Sequence, residues 1–269
     1  MNDIDKSEAQ KEKESQFKRY EALIIKRDHL LREAADIEAQ YYHEFGKLSV
    51  ELFDKKLECI KWKKIISYCQ AAANTGRSVK EDELDTYVRN STAEYEKQLE
   101  QLIDMRNSTE TLKSVPAYMA QKAKRKYRDI AKKIHPDIHP DLAGNQYFEE
   151  LWQAAAEAYQ KLDLQRLEEI EALAQSALVK LGKGGEMPHI PDIGERIRKV
   201  QEQIDRILST DPYLFKFLLD DPEAVSDRMH DMNQELGEYT SYELMLEGVV
   251  EKMMGKEFAG NWKMKIKTI

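Results

Sequence analysis

The chain has 269 residues, with 50 acidic and 42 basic side chains and a net charge of −8. Hydrophobic residues make up 41% and charged residues 34%, with 11 Gly and 7 Pro. This balance favours long solvated helices over a compact α/β enzyme, and its acidity argues against general nucleic-acid binding.

No apolar run reaches the roughly 20 residues of a membrane span. The opening MNDIDKSEAQKEKE has no apolar core, so it is not read as a signal peptide. Cys59 and Cys69 lie ten apart in a helical stretch. At about 100° per residue they project in different directions, so no internal disulfide is expected, and reduced thiols point to the cytoplasm.

Residues 8–73 read as helix almost without a break. Phe17, Tyr20, Leu23, Ile24, Leu30, Ala34, Ile37, Tyr41, Phe45, Leu48 and Leu52 recur in three- and four-residue steps, the pattern of an amphipathic or coiled-coil helix. Gly46 is a candidate bend and Asn74-Thr75-Gly76 a stop. Ser78-x-x-Glu81 and Ser91-x-x-Glu94 have the form of capping boxes. The second predicts a helix near 92–112, and Pro116 the first turn of another over about 117–134. Pro136 ends that helix by disfavouring helical geometry at His135. A polar loop follows to Asn145, then a helix from Gln146 that continues to about Leu181. GKGGEMPHIP (182–191) is the clearest linker. Beyond it come a helix over about 192–209, Asp-Pro starts at Asp211-Pro212 and Asp221-Pro222, and a last helix capped by Thr240-x-x-Glu243 and ending near Met254. The tail to Ile269 reads as either disordered or partner-bound. No strand-like alternation and no fixed-period repeat is present.

KKIHPDIHPD (132–141) raises the functional question. On the helix before it, Ala123, Tyr127, Ile130, Ala131 and Ile134 share a face. On the helix after it, Phe148, Leu151, Trp152, Ala155, Ala158, Tyr159 and Leu162 do so. Both follow helical spacing, so the pair is expected to pack antiparallel. Residues 117–134 carry Lys122, Lys124, Arg125, Lys126, Arg128, Lys132 and Lys133 against Asp129 alone, a net +6. Residues 135–162 carry a net −4. A basic ridge on an acidic protein steers acidic partner surfaces; a plain solvated helix face is the bland alternative.

The stretch YRDIAKKIHPD (127–137), followed by WQAAAEAYQKL (152–162), resembles the J-domain of DnaJ-type co-chaperones over about residues 118–162. Their hallmark is a basic helix ending in Tyr-Arg-x-Leu-Ala-x-Lys-Tyr-His-Pro-Asp, a loop, and a helix carrying an aromatic residue and Ala-Tyr. The resemblance implies docking on a DnaK-type seventy-kilodalton chaperone and stimulation of its ATP hydrolysis. His135, Pro136 and Asp137 would be the trigger, and Lys124, Tyr127, Arg128, Lys132 and Lys133 the docking face. It implies no catalytic residue in this chain, no cofactor and no metal.

The chain departs from the family at several points. The first-helix signature is missing, and the helix near 92–112 is expected to replace it against the pair. Asp129 and Ile138 stand where basic residues are usual. The helix after Leu162 continues where the family breaks, and no Gly/Phe-rich or Cys-x-x-Cys segment follows.

Alternatives for the His-Pro-Asp loop are weaker. A metal site on His135, His139, Asp137 and Asp141 is opposed by the two prolines, which break the helix that would align the ligands. A hydrolytic His/Asp pair has no nucleophile. One tetratricopeptide-like copy is too few for a solenoid. His139-Pro140-Asp141 reads as loop continuation, His230-Asp231 as surface, and Met229, Met232, Met245, Met253 and Met254 as packing.

The expected architecture is all-α: elongated helical hairpins or a coiled coil with an embedded J-domain-like antiparallel pair. Its segments are 1–111, a long-helix region; 112–165, the J-like pair; 166–210, a hairpin across the linker; and 211–269, a small lobe around Leu214, Phe215, Phe217 and Leu218. The expected function is a co-chaperone whose flanking helices recruit a client. A coiled-coil scaffold with a non-stimulating J-like module is the alternative, and a homodimer is an open possibility. Neither nucleic acid nor membrane is expected as a partner.

Overall fold

The computed structural model describes residues 3–109, 115–183, 188 and 190–267, with side chains from Lys11 onward. Every regular element among them is helical, so the chain is all-α. The order is α1 (Asp3–Asn74), α2 (Glu81–Thr109), α3 (Ala117–Ile134), a 3-10 turn (Pro140–Leu142), α4 (Gln146–Gln160), α5 (Leu164–Lys180), α6 (Ile193–Ser209), α7 (Phe215–Leu219), α8 (Pro222–Met254) and α9 (Lys256–Ile266). No helix among the described residues is long and apolar enough to cross a membrane.

The contacts divide the chain into two compact units, Met1–Ile37 with Lys113–Leu214, and Glu38–Leu112 with Phe215–Ile269. Both are discontinuous and both draw on α1, so the division does not follow four consecutive segments.

The first unit has one apolar core. Tyr20, Ile24, Ile25 and Leu30 of α1 meet Ala123, Tyr127, Ile130 and Ile134 of α3, Phe148, Leu151, Ala155 and Tyr159 of α4, Leu167 and Ile170 of α5, and Val200 and Ile204 of α6. The stripes that predict amphipathic helices are the stripes that are buried.

The predicted helix from Gln146 to Leu181 breaks in the middle. The backbone at Leu162 turns left-handed, with φ 51°, and the N–H of Asp163 bonds the carbonyl of Ala158 at 2.8 Å. The Asp163 carboxylate then accepts from the N–H of Arg166 at 3.0 Å, capping α5. Thus α5 turns back over α3 and α4. α6 meets α1 where Arg27 donates to Gln203 at 3.5 Å, and its Ile197, Val200 and Ile204 share the core with Leu167 and Ile170 of α5. The linker between them lies mostly outside the described residues.

In the second unit, Cys59, Trp62, Ile65, Leu84, Val88, Leu246, Val250 and Trp262 form one apolar cluster. Phe45, Leu52 and Met232 form another, joined by Leu218 and Met229. Both cysteines are buried and free.

Several expectations change here. α2 begins at Glu81 rather than at a Ser78 cap. Ser91 lies inside α2 and its hydroxyl bonds the carbonyl of Val88 at 3.1 Å, so no helix starts there. Helix α1 runs on through Gly46, where a Cβ would stand 3.2 Å from Cγ of Arg106, so glycine permits a close approach. Thr240 sits within α8, bonding the carbonyl of Leu236. Of the two Asp-Pro starts, Asp221 caps α8 through the N–H groups of Glu223 and Ala224, whereas no helix begins at Asp211. Phe217, expected in a core, is 68% exposed, while Phe215 stacks on Tyr41 with centroids 4.2 Å apart. The tail forms α9, which buries Trp262 and Ile266. Met245 and Met253 are exposed.

Candidate functional site

The basic helix ends where the next residue cannot stay helical. His135 precedes Pro136 and adopts an extended backbone (φ −60°, ψ 128°), and its N–H makes the last α-type bond, to Ala131. The N–H groups of Ile138 and His139 then close back on the carbonyl of His135 at 3.0 and 2.8 Å. The triplet therefore forms a tight turn at the end of α3. Ile138, standing where the family has a basic residue, is fully buried in the core.

His135 is buried, with 3% of its surface exposed. Its ring lies 4.2 Å from the Trp152 ring, centroid to centroid. Nδ1 accepts the N–H of Asp137 at 2.9 Å. The ring proton therefore sits on Nε2, which faces the Asp28 carboxylate at 3.2 Å. The Tyr127 hydroxyl donates to the same oxygen at 3.0 Å. Arg27 grips the other oxygen through Nε (3.0 Å) and Nη2 (2.8 Å), and its Nη1 reaches Asp137 Oδ2 at 3.0 Å.

Burial alone would push the Asp28 carboxyl up; hydrogen bonds from His135 and Arg27, with the Arg27 charge, outweigh it and hold it below its ordinary range. Burial likewise works against the Arg27 charge, but Asp28 and Asp137 raise it on balance. Burial, and then Asp28, pushes the Tyr127 phenol far up, so it stays a donor.

A second polar layer lies beside this one. The Tyr159 hydroxyl meets His29 Nδ1 at 2.8 Å, and the Tyr127 and Tyr159 rings stack at 4.2 Å. Arg32 Nε donates to the carbonyl of Tyr159 at 3.0 Å. Burial, together with the charges of Lys124, Arg128 and Arg32, lowers His29 to about 4 despite Asp28 nearby. The ring is neutral at pH 7.

The residues expected to form a docking face separate. Lys124 and Arg128 are exposed. With Arg125, Lys132, Lys26, Glu21 and Glu33 they line an open groove of about 660 Å³ between α1 and α3. Lys132 pairs with Glu21 at 2.5 Å. Lys133 and Lys126 turn the other way and both pair with Glu171, at 3.2 and 2.7 Å. Tyr127 is 3% exposed and belongs to the core, so its placement on a solvent-facing dock is corrected. Its apolar spacing with Ala123 and Ile130 already put it on the buried stripe. A smaller cavity of about 260 Å³ opens beside Pro136, lined by Ile134, Leu142, Phe148 and Trp152 among others.

His139-Pro140-Asp141 makes structural contacts. The His139 ring bonds the carbonyl of Lys132 at 2.6 Å, and Asp141 pairs with Lys183 at 2.7 Å. His135 and His139 thus face different partners, and among the described residues no group of three His, Cys, Asp or Glu side chains is placed to hold a metal.

The expected substitute for the missing first helix is also corrected. Besides α5, the helix that shares the core of the pair is α1, through Tyr20, Ile24, Ile25 and Leu30, whereas α2 belongs to the other unit. Sequence reasoning missed Arg27, Asp28 and His29. The sign was present: Arg27 and Asp28 fall three and four residues after Ile24, on the apolar stripe, where a charge survives only if it is paired.

Comparison of the chain with protein-family models, with curated proteins and with solved structures finds no match.

Proposed function

We propose that this chain is a J-domain-type co-chaperone. It docks on the ATPase of a DnaK-type seventy-kilodalton chaperone through the exposed cations of α3 and stimulates ATP hydrolysis through His135, Pro136 and Asp137. The chain itself catalyses nothing in this reading, and its other helices recruit a client or partner. The observation that carries the proposal is the triplet at the end of a basic helix, in a turn bonded to α1 and followed by a helix packed on the basic one. Pro136 is exposed at the tip of that turn. The Asp137 carboxylate, 42% exposed, presents an acceptor beside it. The net +6 of α3 on a chain of net −8 supplies the electrostatic complement to an acidic dock. Two buried free thiols fit the reducing cytoplasm that such a partner inhabits.

One observation favours a second reading. His135 and Tyr127 are buried, and Lys126, Lys132 and Lys133 are paired within the chain. A module so self-satisfied could serve as part of a helical scaffold that does not stimulate. Single-turnover ATP hydrolysis by a DnaK-type chaperone from the same organism separates the two. Stimulation by the wild type that weakens with salt and vanishes in His135→Gln supports the co-chaperone. A folded wild type that gives no stimulation, beside a responsive control, supports the scaffold.

A further inference from the structure

Two neighbouring residues of α1 reach the triplet from more than 100 positions away in sequence. The bonds form a closed circuit. His135 Nε2 meets Asp28, Asp28 holds Arg27, Arg27 holds Asp137, and the N–H of Asp137 returns to His135 Nδ1. Each bond fixes the next. The Asp137 N–H on one ring nitrogen and the Asp28 carboxylate on the other together select the tautomer of His135, and the charge on Asp28 orients the guanidinium fork.

The circuit is anchored on a part of α1 that cannot withdraw cheaply, because Tyr20, Ile24, Ile25 and Leu30 are buried in the same core. The Arg27 and Asp28 side chains are themselves largely covered, at 17% and 10% exposed. What the circuit leaves outward is specific. Pro136 is exposed, and the second oxygen of Asp137 has no hydrogen-bond partner among the described residues.

We infer that Arg27 and Asp28 are positioning residues for the His135-Pro136-Asp137 trigger: they hold its ring and its carboxylate in the presenting geometry, leaving one carboxylate oxygen for a cation on the partner. This rests on the co-chaperone reading. A turn already fixed in its bound shape loses little conformational entropy on docking, so the effect of the pair falls on the maximal stimulation more than on the encounter, which the α3 cations govern. α1 thereby supplies what the missing first helix of the resemblance cannot, and supplies it with charged groups.

The test uses the full chain and three variants: Arg27→Gln, Arg27→Lys and Asp28→Asn. Circular dichroism first confirms that each folds. Single-turnover hydrolysis by the DnaK-type chaperone is then measured across co-chaperone concentration. Arg27→Gln is expected to lower the maximal rate on the order of tenfold, with little change in the half-saturating concentration. Arg27→Lys, which keeps the charge and loses the fork, is expected to recover part of it. In parallel, 15N NMR of the imidazoles reads the His135 tautomer. The Nε2–H form is expected in the wild type and a mixture in Asp28→Asn. A wild type that stimulates while Arg27→Gln does so equally well overturns the inference and leaves the co-chaperone reading standing. A wild type that stimulates nothing overturns both. An unchanged tautomer and Asp137 amide shift in Arg27→Gln and Asp28→Asn overturns the inference whatever the chaperone does.

Discussion

Acidification from pH 7 to 5 is expected to destabilise the first unit through one side chain, His29. Its ring packs against both Tyr127 and Tyr159. Nδ1 meets the Tyr159 hydroxyl at 2.8 Å, and burial with Lys124, Arg128 and Arg32 lowers its pKa from 6.5 to about 4. The sign follows from linkage. A basic group with a depressed folded pKa binds its proton more readily in the unfolded chain. Its contribution is therefore fully present above pH 6.5 and is lost as the pH falls toward the folded value.

At about 1.4 kcal/mol per pH unit, the whole difference is about 3 kcal/mol. Between pH 7 and 5 the unfolded histidine takes its proton and the folded one does not, which costs about 2 kcal/mol. The ring is partly open to solvent, and screening reduces this to about 1 kcal/mol. The assay is urea unfolding at the two pH values, followed by 19F NMR of the chain labelled with 5-fluorotryptophan. Trp152 reports on the first unit, and Trp62 and Trp262 on the second. His29→Gln should remove about 1 kcal/mol of the pH dependence at the Trp152 resonance and none at the other two. Equal pH dependence in variant and wild type at Trp152 would refute the reasoning.

Four further outcomes are expected. Tyr127→Phe keeps the ring stack and loses the bond to the Asp28 carboxylate; thermal unfolding should show a cost of about 1.5–3 kcal/mol. Asp163→Ala removes the cap of α5 and should cost about 1 kcal/mol in denaturant titration, with Asp163→Asn close to wild type. Lys55→Met leaves Glu58 and Glu243 facing each other without their shared ammonium in the second unit. It should cost several kcal/mol at pH 7 and less at pH 5, where a carboxyl can take a proton; equal loss at both pH values would refute this. Asp141→Asn breaks an exposed pair with Lys183 and should change stability by less than about 1 kcal/mol in thermal unfolding.

The pair α3 and α4 was legible in the sequence because each of its signals is local. Apolar spacing buries Tyr127, Ile130, Ala155 and Tyr159. Pro136 stops α3 through a clash with its own neighbour, and Asn145 and Asp221 cap the helices that follow them. The errors arose where a local signal was outvoted. Ser91 and Thr240 have the chemistry of caps, but helical hydrogen bonding on either side carries the chain through them, and their hydroxyls bond carbonyls of the preceding turn. Leu162 gives no hint of a break, because a left-handed leucine is unfavourable alone and is sustained only by the burial of α5 against α3 and α4.

The all-α class and the position of the His-Pro-Asp turn follow from residue order alone, since both rest on contacts within a few residues. What covers that turn was decided only by tertiary packing. Residues 27 and 28 of a long helix meet residues 135 and 137 because Ile24 of α1 is buried in the same core as Ile130 and Ile134 of α3. No short-range rule couples segments that far apart; the shared core brings them together, and the two charges on the stripe are tolerated because each finds its partner there.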